Sequence, residues 1–220
     1  MIRSRFVRSS ALVLATFATI SCSDYSPAGL SAPTTAQNGL ISGLLGVVTN
    51  LLGVVIRVIE PVVDPNGIPV YAVKWSGTHT NQVRSTSGYI GYSGGSLTIP
   101  GSDFTITFPQ GALTQTTYIK VVSDGSGYVT YDMQPHGLKF AKPVIVTQRL
   151  DNTAVYGTQR ALNAFGAYFA TDPLSLSGLL KALEITRTTI FSAPTSPNTG
   201  QPEVETWELR HFSRYMLASG

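Results

Sequence analysis

A chain of 220 residues can bury about two thirds of the surface it exposes when unfolded, so a core without disulfides is expected. Charged residues make up only 12%, against 21 glycines and 13 prolines, a balance that suits turn-rich extracytoplasmic β-structure better than a cytosolic helical enzyme. The pI of about 9.0 owes its basicity to Arg3, Arg5 and Arg8. Beyond them 12 basic residues face 12 acidic ones, and with no basic cluster interleaved with aromatics the footprint of a nucleic-acid partner is missing.

The first 21 residues read as an export signal: Arg3, Arg5 and Arg8, then an apolar run over residues 11–20, then Ser21 before Cys22. The run is too short to span a bilayer. Cys22 is the single cysteine, so it closes no intramolecular disulfide, and it stands where a bacterial lipoprotein signal places its acylated residue. Thr19-Ile20-Ser21-Cys22 resembles a lipobox, with Thr19 in place of the usual Leu. The expectation is membrane attachment through a lipid on Cys22; Ser23 after it, rather than Asp, points to the outer membrane. Residues 22–38, poor in apolar side chains and holding Pro27 and Pro33, have the composition of a flexible tether.

Residues 39–60 differ. Leu-Leu-Gly-Val-Val occurs at 44–48 and again at 51–55, and Arg57 is the one charge before Glu60. On a helix, Gly43, Gly46, Asn50, Gly53 and Arg57 form one narrow stripe with Leu, Ile and Val around it. The spacing predicts an apolar helix, capped by Asn38 and ended by Pro61. Its glycines and β-branched residues make it weak, so it requires a covering surface. That surface is the body of the protein or a neighbouring chain, the lipid interface, or a bilayer core with Arg57 snorkelling.

Connecting strands are expected over 61–87, after the Asp64-Pro65-Asn66-Gly67 turn cluster, beginning with a strand at 70–75. Residues 103–109 alternate cleanly, Phe104, Ile106 and Phe108 on one face and Thr105 and Thr107 on the other, the mark of a half-buried strand. Further strands are predicted at 117–122, 128–133, 144–149, 165–169, 184–191 and 204–217, with 192–202 as a loop. The fold class is an all-β antiparallel sandwich occupying 88–220.

Gly94-Gly95 supplies a tight reversal; Pro109 removes a ladder donor and Gly111 permits a positive φ, so the strand ends there. Gly137 separates two strands, and Lys142-Pro143 begins the next. Three stretches carry these residues: Gly94-Gly95-Ser96-Leu97 running on to Phe104-Thr105-Ile106-Thr107-Phe108-Pro109-Gln110-Gly111-Ala112-Leu113, then residues 135–144 with Pro135, Gly137, Phe140, Lys142, Pro143 and Val144, then Arg210-His211-Phe212-Ser213-Arg214-Tyr215. In order and spacing they are similar to the ZU-five domain of netrin receptors, ankyrins and related bacterial proteins, with Gln110 where the family usually has a second proline. The resemblance covers about 130 residues. It implies a sandwich that packs against protein or surface-polymer partners, with no cofactor and no catalytic site for external substrates.

The sequence holds no CxxC, HExxH, GxSxG or phosphate loop. His79, His136 and His211 lie far apart without carboxylates at metal-ligand spacing, so no metal is expected. Asp132 and His136 can meet across a turn as a stabilising pair. The resemblance adds one chemical alternative, because in some ZU-five domains a His-Phe-Ser triplet cleaves itself. Here Ser213 would attack the Phe212 carbonyl with His211 as the base or the orienting group. Period two along 204–217 sets Trp207, Leu209, His211, Ser213 and Tyr215 on one face, and His211 and Ser213 are then expected as a satisfied, inward-facing structural pair.

Overall fold

The computed structural model describes residues 49–51, 54–77, 82–169, 176–192 and 202–220. These residues form strands β1 (Thr49–Leu51), β2 (Val54–Ile59), β3 (Val62–Ala72), β4 (Arg84–Ile90), β5 (Gly95–Ile99), β6 (Phe104–Phe108) and β7 (Thr117–Ser123). There follow β8 (Thr130–Gln134), β9 (Lys139–Arg149), a 3-10 turn at Gln159–Asn163, β10 (Ala164–Phe169), β11 (Leu179–Ile185), β12 (Arg187–Ser192), β13 (Val204–His211) and β14 (Arg214–Ser219).

Two antiparallel sheets pack face to face as a β-sandwich. The first runs β1-β2-β12-β13-β9-β6-β5 and the second β10-β11-β3-β14-β8-β7-β4. β6 shows why the sequence takes this form. Phe104, Ile106 and Phe108 point inward and are at most 2% exposed, while Thr105 and Thr107 face outward and meet Thr98 and Ser96 of β5 at 3.0 Å each. Phe104 stacks on Tyr131 across the sandwich, ring centres 4.1 Å apart. The turn into β5 needs Gly94, where φ is +78° and a Cβ would lie 2.2 Å from the Phe108 carbonyl oxygen.

The second sheet does not end in an open edge at β10. β14 pairs with β3 and β8 along one edge and with β10 along the other, and β10 pairs onward to β11, which pairs with β3. Four strands thereby close into a ring. Inside it lie Val70, Phe165, Ala167, Ala182, Ile185, Met216 and Ala218, joined by Ile59 and Ile190 of the first sheet. The larger core between the sheets takes the opposite side chains of the same wall, Ala164, Tyr215 and Leu217. β14 is thus apolar on both faces because it serves two cores, a departure from the alternation of a strand with one wet side. Gly166 on β10 lets the Trp207 indole approach the wall, since a Cβ there would lie 2.6 Å from the ring and 2.6 Å from the Thr186 hydroxyl oxygen.

Several expectations are corrected. Within the predicted helix at 39–60, residues Thr49–Leu51 and Val54–Ile59 are strands, and 39–48 lie outside the described residues. β-branched Val54, Val55, Ile56, Val58 and Ile59 suit a pleated surface, and β2 finds its ladder on β12, from Val55↔Ser192 to Ile59↔Thr188. β2 and β3 are members of the two sheets, so the sandwich takes in residues before 88. The Asp64-Pro65-Asn66-Gly67 turn is present as a bulge inside β3, where Asp64 Oδ1 accepts the Asn66 N–H at 2.8 Å and the register slips opposite Ala182/Glu184. The strand at 139–149 begins before Pro143, which falls where the β9–β13 register shifts.

The predicted strands 184–191 and 204–217 are each two strands. The first breaks at buried Thr186, whose N–H donates to the Gly166 carbonyl at 2.9 Å, and the second at Phe212-Ser213. At both breaks the chain passes from one sheet to the other.

Candidate functional site

The crossing from β13 to β14 holds His211, Phe212 and Ser213. A register shift between Leu209 and His211 undoes the shared face expected there. Trp207 and Leu209 stay in the core, Phe212 enters it instead of His211, and His211 and Ser213 are half-buried. The Phe212 ring meets Phe108 and Phe140 edge-on at 6.0 and 4.9 Å. Its backbone is held at both ends, the N–H donating to Leu138 at 2.8 Å and the carbonyl accepting the Gly137 N–H at 2.8 Å.

The His211 ring is engaged by Glu184 and Tyr215. Its Nε2 is 3.0 Å from Glu184 Oε2, and the Tyr215 hydroxyl lies 3.3 Å from Nε2 while donating to the His211 carbonyl at 3.1 Å. Tyr168 packs edge-on against the imidazole at 5.1 Å. The hydrogen bond to Glu184 raises the His211 pKa, aided by the Glu184 charge and the Phe212 backbone and opposed by burial. Burial, with the charge of Glu184 beside it, drives the Tyr215 phenol far up. The expected inward-facing His211/Ser213 pair is replaced by a Glu184–His211–Tyr215 cluster binding three strands. Nothing local in the sequence announces Glu184, 27 residues away.

The other motif residues act on the backbone. Gly111 donates its N–H to the Tyr92 carbonyl at 2.7 Å, Ala112 bonds back to Pro109 at 3.0 Å, and Lys142 Nζ donates to the Gln110 carbonyl at 2.7 Å. His136 meets Asp132 at 2.6 Å in an exposed turn. Burial raises the Asp132 carboxyl, and the hydrogen bonds from His136 and Gln134 outweigh it, so the net shift is downward. Cys22 lies outside the described residues. Among the described residues no three His, Cys, Asp or Glu side chains converge on a point.

Two features went unread in the sequence. Glu205 is wholly buried beside Gln148 and Tyr131. It accepts the Trp207 indole N–H on one oxygen, while its Oε2 has no partner. Burial pushes its carboxyl up to about 8, with the Trp207 hydrogen bond opposing. Above it the Tyr131 hydroxyl bonds Gln148 Oε1 at 2.5 Å. The signal was available, because Glu205 shares the period-two face of Trp207 and Leu209.

The second is an aromatic face. Tyr89 of β4 and Tyr118 of β7 are direct cross-strand partners, with ring centres 5.1 Å apart and exposures of 75% and 50%. Ser87↔Lys120 is the next outward pair along the strands. A tyrosine on the same period-two face as Ser85 and Ser87, opposite buried Ile90, was the readable sign.

In comparisons with known proteins, no family model matches the chain and no curated sequence does either.

Proposed function

We propose that this chain is a lipid-anchored protein of the bacterial cell envelope, attached at the outer membrane through Cys22, that presents a non-enzymatic, ZU-five-like sandwich to a protein or surface-polymer partner. The signal-like first 21 residues and the isolated cysteine support the anchor. The observation that carries the binding role is the Tyr89–Tyr118 pair. Tyrosines of the core lose their rings to packing, whereas these two meet at a 59° tilt in solvent, on the outer face of the edge strand β4 and its neighbour β7, and rigid amphipathic rings of this kind anchor interfaces. The test is co-sedimentation of the purified chain with isolated envelope material. Tyr89→Ala/Tyr118→Ala is expected to abolish it while leaving the melting temperature within a few degrees. Undiminished sedimentation by the double variant would refute the role of this face.

A second reading, self-cleavage between Phe212 and Ser213, draws on the Gly137 N–H at the Phe212 carbonyl, which stands where an oxyanion donor would. The commitment of the His211 ring to Glu184 and Tyr215 favours the intact chain. We therefore expect denaturing electrophoresis and intact mass to give one species, identical in cleavage state for wild type and Ser213→Ala. An eight-residue C-terminal fragment beginning at Ser213, lost in Ser213→Ala, would establish the second reading instead.

A further inference from the structure

A cleft of about 320 Å³ opens at the end of the strand ring, and its walls include Tyr71, Lys74, Tyr128, Val155, Arg160 and Leu176. That size lies at the lower end of the range for small-molecule sites. Val73 and Val155 form a buried apolar floor. The charges lining it are Lys74 and Arg160, and no carboxylate lines it.

Both cations are held in place by neutral groups. Lys74 Nζ sits 5.4 Å from the centre of the Tyr128 ring, and the Lys74 backbone is fixed by a bridge to Tyr128 and by the Ala154 N–H donating to its carbonyl at 2.9 Å. Arg160 donates from Nε and Nη2 to the Ser219 hydroxyl at 3.1 and 2.7 Å. Among the described residues neither cation joins an ion pair. The other surface arginines in ion pairs, Arg149 and Arg187, face Asp151, Glu60 and Glu208. Two uncompensated cations in one concavity concentrate positive potential there, and an arginine already oriented by a hydroxyl loses less freedom on meeting an anion. Tyr71, 47% exposed, offers a flat surface for a ring.

We propose that this cleft binds a monosaccharide-sized anion, a sugar ring bearing a carboxylate or phosphate, with the anionic group between Lys74 and Arg160 and the ring against tyrosine. Tyr89 and Tyr118 are not among its walls, so this site stands or falls separately from the partner-binding face.

The test is titration of the purified full chain, followed by ligand-observed NMR, with glucuronate, glucose 6-phosphate, inorganic phosphate and neutral glucose as probes. Saturable binding of glucuronate or glucose 6-phosphate is expected, stronger than that of glucose and weakened by added salt. Comparing these two assigns the carboxylate or the phosphate as the preferred group, and competition by inorganic phosphate locates the anion subsite. Lys74→Gln and Arg160→Gln should each weaken binding about tenfold or more, the loss of one charge-assisted hydrogen bond. Lys74 is solvent-facing, so Lys74→Gln keeps the test open where Arg160→Gln lowers the melting temperature. Binding of glucose as tight as glucuronate, no saturable signal with either anionic sugar, or wild-type affinity in Lys74→Gln would overturn the proposal.

Discussion

Burial keeps the Glu205 carboxyl protonated up to about pH 8, so at neutral pH the folded chain holds a proton that the unfolded chain has released. Folded binds more protons than unfolded between the ordinary carboxyl value of 4.5 and about 8. Stability from this group is therefore greatest at and below pH 4.5, falls by at most about 1.4 kcal/mol per pH unit across that window, and is flat above it. Glu205→Gln imitates the protonated form and still accepts from Trp207. Urea midpoints should show it gaining on wild type between pH 5 and pH 8, and a constant difference over that range would mean that Glu205 does not titrate there. His211 adds the same sign. Its raised pKa gives stability that is complete below 6.5 and lost as pH rises through the folded value. In Glu184→Gln the His211 imidazole NMR titration should move down toward the ordinary range. At Gly166, a methyl would collide with Trp207 and Thr186, and Gly166→Ala is expected to cost about 1 to 3 kcal/mol by overpacking, read from denaturant melts.

Among the strands, β6 was the most legible because one of its faces is dry and the other wet, and period two survives intact. Ile106→Ala should cost about 2 to 5 kcal/mol through the cavity it leaves, and a loss under about 0.5 kcal/mol would place that face in solvent. The class of fold and the approximate positions of β7 and β8 followed from short apolar runs spaced between turn signals, and that of β6 from its alternation. What was hidden was the path between sheets. At Thr186 and at Phe212-Ser213 the apolar pattern runs on without a glycine or proline, yet the chain turns a corner there, because the partners that hold the corner, Gly166, Gly137 and Leu138, are distant in sequence. β2 was misread for a related reason. Leu, Gly and Val repeated once at a seven-residue spacing satisfy a helical stripe as well as a buried strand, and the choice is made by β12, more than a hundred residues later. The candidate site was legible in its residues and not in its geometry: His211, Phe212 and Ser213 were found, while Glu184, Gly137 and the Tyr89–Tyr118 pair that surround or rival them depend on strand register.

Across the whole molecule, the wall of β10 and β14 joins the two cores, so they are expected to unfold together. Met216 points into the ring core and Leu217 into the larger one. Fluorescence of Trp75 and Trp207, both in the larger core, and backbone circular dichroism should give coincident denaturation curves, and separated transitions would show two independent units. Removing residues 39–59 strips β12 of its neighbour β2 and withdraws Ile59 from the ring core, so the shortened chain should be measurably less stable than the full one. At the cellular end, Cys22→Ser is expected to release the protein from membranes or leave its precursor unprocessed. Intact mass showing an unmodified N-terminus at another residue would contradict acylation there.

The position of β14 also sets an order in time. Its six residues, 214–219, pair with β3, β8 and β10, so neither core can close until they have left the ribosome. Everything before them is made first and must wait with its apolar side chains unpaired. The chain up to Ser213 is thereby held short of either native core, and both are released to close by the arrival of one strand.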